Sequence, residues 1–151
     1  MSGHKERFTL IASAYVFFRR DDEILLLRRF NTGYEDGNYS VPAGHLDGNE
    51  DLLAGAIREA HEEIGVTLRR DQLRVAGVMH RLANDERMDI FVEARDWEGE
   101  LVNREPEKCD DLSWFPLDAL PTNTIPYIRR AIELTVADIG MWFEMYGWPA
   151  S

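Results

Sequence analysis

The sequence predicts a mixed α/β domain, a central mixed β-sheet with helices packed against it, and three observations carry that reading. Strand-like segments lie on both sides of one amphipathic helical stretch, which sets the helix within a sheet-forming chain rather than a bundle. The run Ile24-Leu25-Leu26-Leu27 is apolar without alternation, the pattern of a strand covered on both faces. The chain has 151 residues, 44% hydrophobic and 30% charged, the composition of one ordinary globular unit able to bury roughly two-thirds of its unfolded surface. No Pro/Gly/Ser-rich linker or internal repeat divides it, so residues 1–151 read as a single domain.

The elements follow in order. Phe8 to Phe18 is rich in β-branched and aromatic residues, and with Ile24–Leu27 beyond the Asp21-Asp22 turn it reads as a hairpin. Phe30 to Tyr39 is polar, with Gly33 and Gly37, and reads as a loop. Asp51 to Ile64 reads as a helix with Asn49, Glu50 and Asp51 at its start and an apolar stripe of Leu53, Ala56, Ile57, Ala60 and Ile64. Leu73–Leu82 and Met88–Ala94 flank the polar Asn84–Arg87 as a second hairpin; in the latter strand Met88, Ile90, Val92 and Ala94 alternate with Asp89, Phe91 and Glu93. Leu112–Phe115 suggests a further short strand. A last helix starts near Thr124 with Pro126 in its first turn and the stripe Ile125, Ile128, Ile132 and Ile139. The aromatic tail Trp142–Trp148 is expected to pack on the domain or on a twin subunit, which leaves a homodimer open.

Charge and cysteine usage narrow the function. With 17 basic and 28 acidic residues the net charge is −11, a field that repels nucleic-acid backbones and anionic lipid. The expected partner is therefore a small molecule, with no nucleic-acid polymer and no membrane. No apolar run approaches the ~18 residues that span a bilayer, so the expected location is cytoplasmic. The single cysteine, Cys109, forms neither an internal disulfide nor a CxxC zinc site.

The informative stretch runs from Gly44 to Val66. Glu59, Glu62 and Glu63 stand at i, i+3 and i+4, so their carboxylates share one side of the helix with Cβ atoms about 5–6 Å apart. They lie off the apolar stripe and repel one another. Oxygen ligands of this kind suit hard cations, Mg²⁺ above all, whose remaining positions are filled by water and substrate phosphate. Arg58 is i−4 to Glu62, and its planar guanidinium can hold a carboxylate by two hydrogen bonds and fix its direction. Gly44 and Gly48 allow a tight backbone turn before the helix, which lets carbonyls such as that of Ala43 face the same place. An acidic helix face alone is usually a solvated one. Two glycines, one arginine and four glutamates at these offsets, however, arise by chance in on the order of one chain in 10⁵.

This segment resembles the Nudix box, GX5EX7REUXEEXGU, at every fixed position from Gly44 to Val66, with Ala60, smaller than the usual Ile, Leu or Val, and Val66 in its hydrophobic slots. The resemblance implies an α/β/α sandwich around a central mixed sheet and hydrolysis of a nucleoside diphosphate linked to another moiety with Mg²⁺ or Mn²⁺. It implies Glu59, Glu62, Glu63 and the Ala43 carbonyl as metal ligands, Arg58 as the residue orienting the glutamates, and Glu50 as a brace of loop to helix. Gly44 and Gly65 complete the structural positions. The implied step is in-line attack of an activated water on a phosphorus, with Glu62 or a glutamate from a later loop as base.

Glu105-Pro106-Glu107-Lys108-Cys109, preceded by Asn103, resembles a segment of the MutT-like branch, which cleaves nucleoside triphosphates to monophosphate and pyrophosphate. Glu107 is preferred to Glu105 as that base, against a reading of both as solvated loop charges. Arg28 and Arg29 sit as an arginine pair does in MutT-like enzymes, and Arg29 is the candidate phosphate contact. Phe91 as a base-stacking ring and Asn123 as a reader of a purine edge complete the candidates, against core packing and helix capping respectively.

The stretch 67–83 lacks the proline of many ADP-ribose pyrophosphatases and the tyrosine of diadenosine-polyphosphate hydrolases, and the Ser/Gln/Pro/Trp array of the NADH-specific branch is missing. Elimination leaves (deoxy)nucleoside triphosphates. The alternatives are a nucleotide-sugar or ADP-ribose pyrophosphatase, a non-catalytic nucleotide-sensing module and, against the acidic surface, an RNA-end enzyme.

Overall fold

A computed structural model of the chain describes residues 6–150. Its elements are β1 (Ile11–Arg20), β2 (Glu23–Arg29), β3 (Tyr39–Ser40), β4 (Ala43–His45), α1 (Leu52–Ile64), a 3₁₀ turn at Arg70–Gln72, β5 (Leu73–Leu82), β6 (Glu86–Ala94), β7 (Cys109–Pro116), α2 (Pro126–Val136) and β8 (Trp142–Tyr146). The strands form a mixed sheet in the order β3-β2-β1-β6-β5-β8, with β4 added to β1 and β7 to β2. β1 runs parallel to β6 through eight register pairs, Ile11↔Arg87 to Phe18↔Ala94.

The two helices cover opposite faces. On one, Ala56, Ala60 and Ile64 of α1 pack with Ala14, Val16, Phe18, Leu25 and Val92. On the other, Ile128, Ala131 and Ile132 of α2 pack with Tyr15, Phe17, Met79, Phe91 and Trp142. The expected α/β/α sandwich is the architecture found, and the double coverage of Ile24–Leu27 is real: Ile24 and Leu26 join the α2 cluster while Leu25 joins the α1 cluster. Asp51 caps α1 by accepting from the Ala54 N–H at 2.9 Å, and Gly65 ends it with φ of 76°, a conformation a glycine adopts without strain.

Four expectations need correction. Phe8 lies outside β1 and is exposed. β1 and β2 are barely a hairpin: they pair only at Arg19↔Ile24 and Arg20↔Glu23, after which β1 turns to β4 and β6 while β2 turns to β7 and β3. The short strand expected at Leu112–Phe115 runs from Cys109 to Pro116, and in β6 α2 and a cluster of arginines cover Asp89, Phe91 and Glu93, whose exposures are 0%, 0% and 5%. Ile139 falls beyond α2 and is exposed; the chain leaves the helix through Asp138, whose φ is 54°. The tail packs on the domain as β8, parallel to β5, with Trp142 buried and Phe143 and Met145 facing out.

Candidate active site

The loop from β4 and the middle of α1 are tied together by one arginine. Arg58 donates through Nη2 and Nε to the two oxygens of Glu50 at 2.7 and 3.1 Å, through Nη1 to Glu59 Oε1 at 2.7 Å and Glu62 Oε2 at 3.4 Å, and through Nη2 to the His45 carbonyl at 3.2 Å. Glu50 also accepts from the Asp47 N–H at 2.7 Å. Arg58 and then that N–H hold the Glu50 carboxyl below the usual carboxylate range. Glu50 thus braces loop to helix, with Arg58 as the bolt.

The three glutamates occupy different environments. Glu62 is the most exposed, whereas Glu59 is largely covered and Glu63 is partly buried with Oε2 accepting from the Ala43 N–H at 3.0 Å. Burial, reinforced by the charges of Glu59 and Glu105, pushes the Glu63 carboxyl well above the usual value. Burial also raises Glu59, with Arg58 opposing. Gly44 lies directly beneath Glu59: a Cβ there would stand 2.0 Å from Glu59 Oε1. In this conformation Arg58 draws Glu59 and Glu62 toward itself, and among the described residues no three His, Cys, Asp or Glu side chains converge at metal-holding spacing. The donor set still fits a divalent ion of the Mg²⁺ type, which takes one or two carboxylates and leaves its other positions to water and phosphate. Two carboxyls held at a cost by burial and mutual repulsion are what such a charge relieves.

These groups line a cavity of about 840 Å³, within the usual size of small-ligand sites. Arg29 lines it as well, held by donation from Nε to the Tyr34 carbonyl at 2.7 Å and from Nη2 to Thr32 Oγ1 at 3.1 Å. Arg28 is engaged elsewhere, by Asp110 at 2.7 Å. In the loop before β7 the expected preference is reversed. Glu105 lines the cavity and its field reaches Glu59 and Glu63, while Glu107 is exposed and outside the lining. The turn explains it: Glu105 N–H donates to Asn103 Oδ1, and the Lys108 and Cys109 N–H groups close onto the Glu105 carbonyl.

Phe91 has no face free for a base; it stacks on Tyr15 with ring centroids 4.6 Å apart in the core. Asn123 neither lines the cavity nor caps α2, whose first turn follows Ile125. Its side-chain amide donates to the Gly37 carbonyl at 2.7 Å and its carbonyl accepts from the Tyr39 N–H, which fastens the 30–38 loop to the chain entering α2. Sequence reasoning missed Ser13, Tyr15, Tyr34, Arg81 and Tyr127, all of which line the cavity.

Fold and site together define an α/β/α sandwich with a braced carboxylate cluster at the edge of a ligand-sized cavity. The NUDIX domain family model matches residues 9–134, and the chain belongs to the Nudix family. It is 32% identical over 128 residues to an NAD-capped RNA hydrolase NudC of Vibrio parahaemolyticus and 35% identical over 112 residues to one of Pseudomonas aeruginosa. These alignments cover 82% and 74% of this chain but 46% and 38% of those proteins, so the chain spans less than half the length of these curated relatives. Among solved structures, a MutT NUDIX hydrolase from Burkholderia pseudomallei superposes with a TM-score of 0.77 at 27% identity, covering 84% of this chain and 98% of that one. The chain is thus a MutT-like Nudix protein, and no helix of its described residues is long and apolar enough to cross a membrane.

Proposed function

We propose that this protein hydrolyses the diphosphate linkage of a (deoxy)nucleoside triphosphate to the monophosphate and pyrophosphate. The observation that carries the reading is the Glu50–Arg58 brace holding Glu59 and Glu62, with the Ala43 N–H holding Glu63, against a cavity large enough for a nucleotide. Glu59, Glu62 and Glu63, with the Ala43 carbonyl, would hold Mg²⁺ or Mn²⁺. When bound, such an ion offsets phosphate charge, lowers the pKa of a water and steadies the departing phosphate. Arg58 touches no substrate in this reading; it orients the carboxylates. Arg29 and Lys108, both on the cavity lining, meet phosphate oxygens. Glu105 takes the proton of the attacking water in place of Glu107.

Glu63→Gln tests the reading. Turnover of a nucleoside triphosphate panel with Mg²⁺ is expected to fall by orders of magnitude with the circular dichroism spectrum and melting temperature kept, as loss of a metal-ligand charge implies. Unchanged turnover with ordinary Mg²⁺ dependence would overturn it.

A second reading, cleavage of a dinucleotide diphosphate, is favoured by the relatives named NAD-capped RNA hydrolases. It also bears on the expectation that nucleic acid is no partner, since an RNA 5′ end belongs to that reading. NAD and ADP-ribose in the same panel, with capped RNA at varied salt, separate the two.

A further inference from the structure

The cavity has a second polar wall that the glutamates do not use. Ser13 and Asp89 are register partners across the parallel β1–β6 pair, so their side chains share one face of the sheet, the face beneath α2. Arg81 of β5 reaches the same place: its Nε donates to Asp89 Oδ2 at 2.6 Å, and its guanidinium carbon lies 3.8 Å from the centre of the Tyr127 ring. The Tyr127 hydroxyl in turn shares a hydrogen bond of 3.1 Å with that of Tyr15. Asp89 is wholly buried, and Ser13 and Arg81 nearly so.

This group is built but not complete. Ser13 Oγ and Asp89 Oδ1 are buried without a hydrogen-bond partner among the described residues. Among the described residues the Arg81 side chain is hydrogen-bonded only through Nε, which leaves both terminal nitrogens without a partner there on a residue that lines the cavity. Buried polar groups are ordinarily paired, and of this set Ser13 and Arg81 line the cavity, with Asp89 behind them, where a ligand can complete them.

The chemistry of that ligand follows from the charges. Asp89 neutralises Arg81, so this wall offers a phosphate little that Arg29 and Lys108, on the same lining, do not already supply. What the wall retains is geometry. A guanidinium fixed by a carboxylate on one edge and a ring on one face presents two terminal nitrogens in a set plane, a match for two adjacent acceptors. Guanine and hypoxanthine show such a pair at O6 and N7, and cytosine at O2 and N3. Adenine sets a donor beside N7, and uracil and thymine interrupt their carbonyls with N–H, so each opposes a donor to a donor.

We propose that Arg81, locked by Asp89 and Tyr127, is a specificity-determining residue that reads a base edge carrying two adjacent acceptors, selecting a six-oxopurine or cytosine over adenine and uracil. The inference rests on the nucleotide reading of the cavity and names the part of the substrate that its far wall takes.

The test is binding of nucleoside 5′-monophosphates, which present the base without a diphosphate to cleave, by calorimetry on the full chain with Mg²⁺. GMP and IMP, or CMP, are expected to bind about ten- to a hundredfold tighter than AMP and UMP, the discrimination of one bidentate pair. The 7-deaza form of guanine and the 3-deaza form of cytosine each delete one acceptor, and whichever analogue loses the advantage identifies the source without any change to the protein. Arg81→Lys keeps the cation beside Asp89 but not the fork, and should erase the preference. Arg81→Met with Asp89→Asn should do the same while leaving no lone buried charge. In kinetics the loss should appear as a raised KM for the favoured triphosphate.

Equal affinity for all the monophosphates, a preference that survives Arg81→Lys, or a uniform loss across every base in that variant would each overturn the proposal. Base-blind turnover that still depends on Glu63 would sink this inference and leave the hydrolase reading standing. Base-selective binding with turnover indifferent to Glu63 would do the reverse.

Discussion

Gly44→Ala isolates the geometry of the carboxylate cluster from the stability of the fold. The backbone at Gly44 lies outside the left-handed region, so alanine fits its conformation. The methyl, however, would fall 2.0 Å from Glu59 Oε1 and 2.1 Å from its carboxyl carbon, where real contacts stay beyond 3.0 Å. The carboxylate must retreat by about 1 Å, and the 2.7 Å bond from Arg58 Nη1 must stretch or break. The pair is largely covered, but Arg58 keeps Glu50, Glu62 and the His45 carbonyl, so loosening this one contact costs about 0.5–1.5 kcal/mol, and removing glycine's freedom from the unfolded chain returns about 0.4–1 kcal/mol. The two nearly cancel, so the melting temperature should stay within ~4 °C of wild type at this chain length. Activity has no such compensation, since a displacement of this size near the reacting centre costs on the order of a hundredfold. Turnover of the preferred nucleoside triphosphate across a Mg²⁺ titration, beside a thermal melt, checks both halves. Wild-type turnover would refute the claim that the position of Glu59 over Gly44 matters to the reaction. A melt lowered by ten degrees or so would show that backbone, not carboxylate, gives way.

Three further outcomes follow from the same geometry. Glu105→Gln should lower kcat about 10²- to 10⁴-fold as loss of a general base, whereas Glu107→Gln should change it little; the opposite order in steady-state assays would restore Glu107 to the role. Phe91→Ala should cost about 3–5 kcal/mol as a core cavity, seen in denaturant melts, where a base-stacking ring would instead have cost substrate affinity. Burial works to raise the Glu93 carboxyl, but Arg19, Arg74 and Arg95 hold it below the ordinary glutamate value. Its contribution to stability is therefore present above about pH 4.3 and lost as pH falls through the lowered folded value. Glu93→Gln should lower stability by about 2 kcal/mol at pH 7 and flatten the acid limb of melting temperature against pH, and an unchanged acid limb would contradict the assignment.

What could be read from the sequence was whatever repeats locally. The stripe through Ala56, Ala60 and Ile64, the cap at Asp51 and the spacing from Glu50 to Arg58 all lie within a few turns of chain, and the helix and its brace stand where those patterns put them. Partnership across the chain left no such mark. The alternation in β6 sets Asp89, Phe91 and Glu93 on one face and Met88, Ile90, Val92 and Ala94 on the other, and does not say what covers the first. That face is closed by α2, whose first residue follows Phe91 by 35 positions, and by Arg19 and Arg81 from neighbouring strands. An acidic residue in a β-rich run with arginines on the adjoining strands was the available signal, and only the register shows which of them meet. Glu105 and Glu107 differ by two positions in a loop without periodicity, where a single side-chain bond to Asn103 decides which one turns inward.

The short pairing of β1 with β2, where a full hairpin was expected, locates the origin of the cavity. A full hairpin between β1 and β2 would have closed the sheet along their whole length. Only two register pairs hold them, at the Arg19–Arg20 end, and from there the strands diverge, β1 accepting β4 as its neighbour and β2 taking β3 and β7. Ser13 and Tyr15 on one side of the gap and Leu27 and Arg29 on the other become cavity walls, with Ala43 and Gly44 of β4 bringing Glu63 and Glu59 to its edge. Arg58 is spent on Glu50, Glu59, Glu62 and a carbonyl, so it gives an anionic ligand almost nothing directly. In the proposed reading a chain of net charge −11 would hold a polyphosphate through Arg29 and Lys108 on the lining together with the cation that the carboxylates gather. Affinity for substrate and affinity for a divalent ion would in that reading be one coupled quantity, and a substitution that eases the repulsion among Glu59, Glu63 and Glu105 would weaken both.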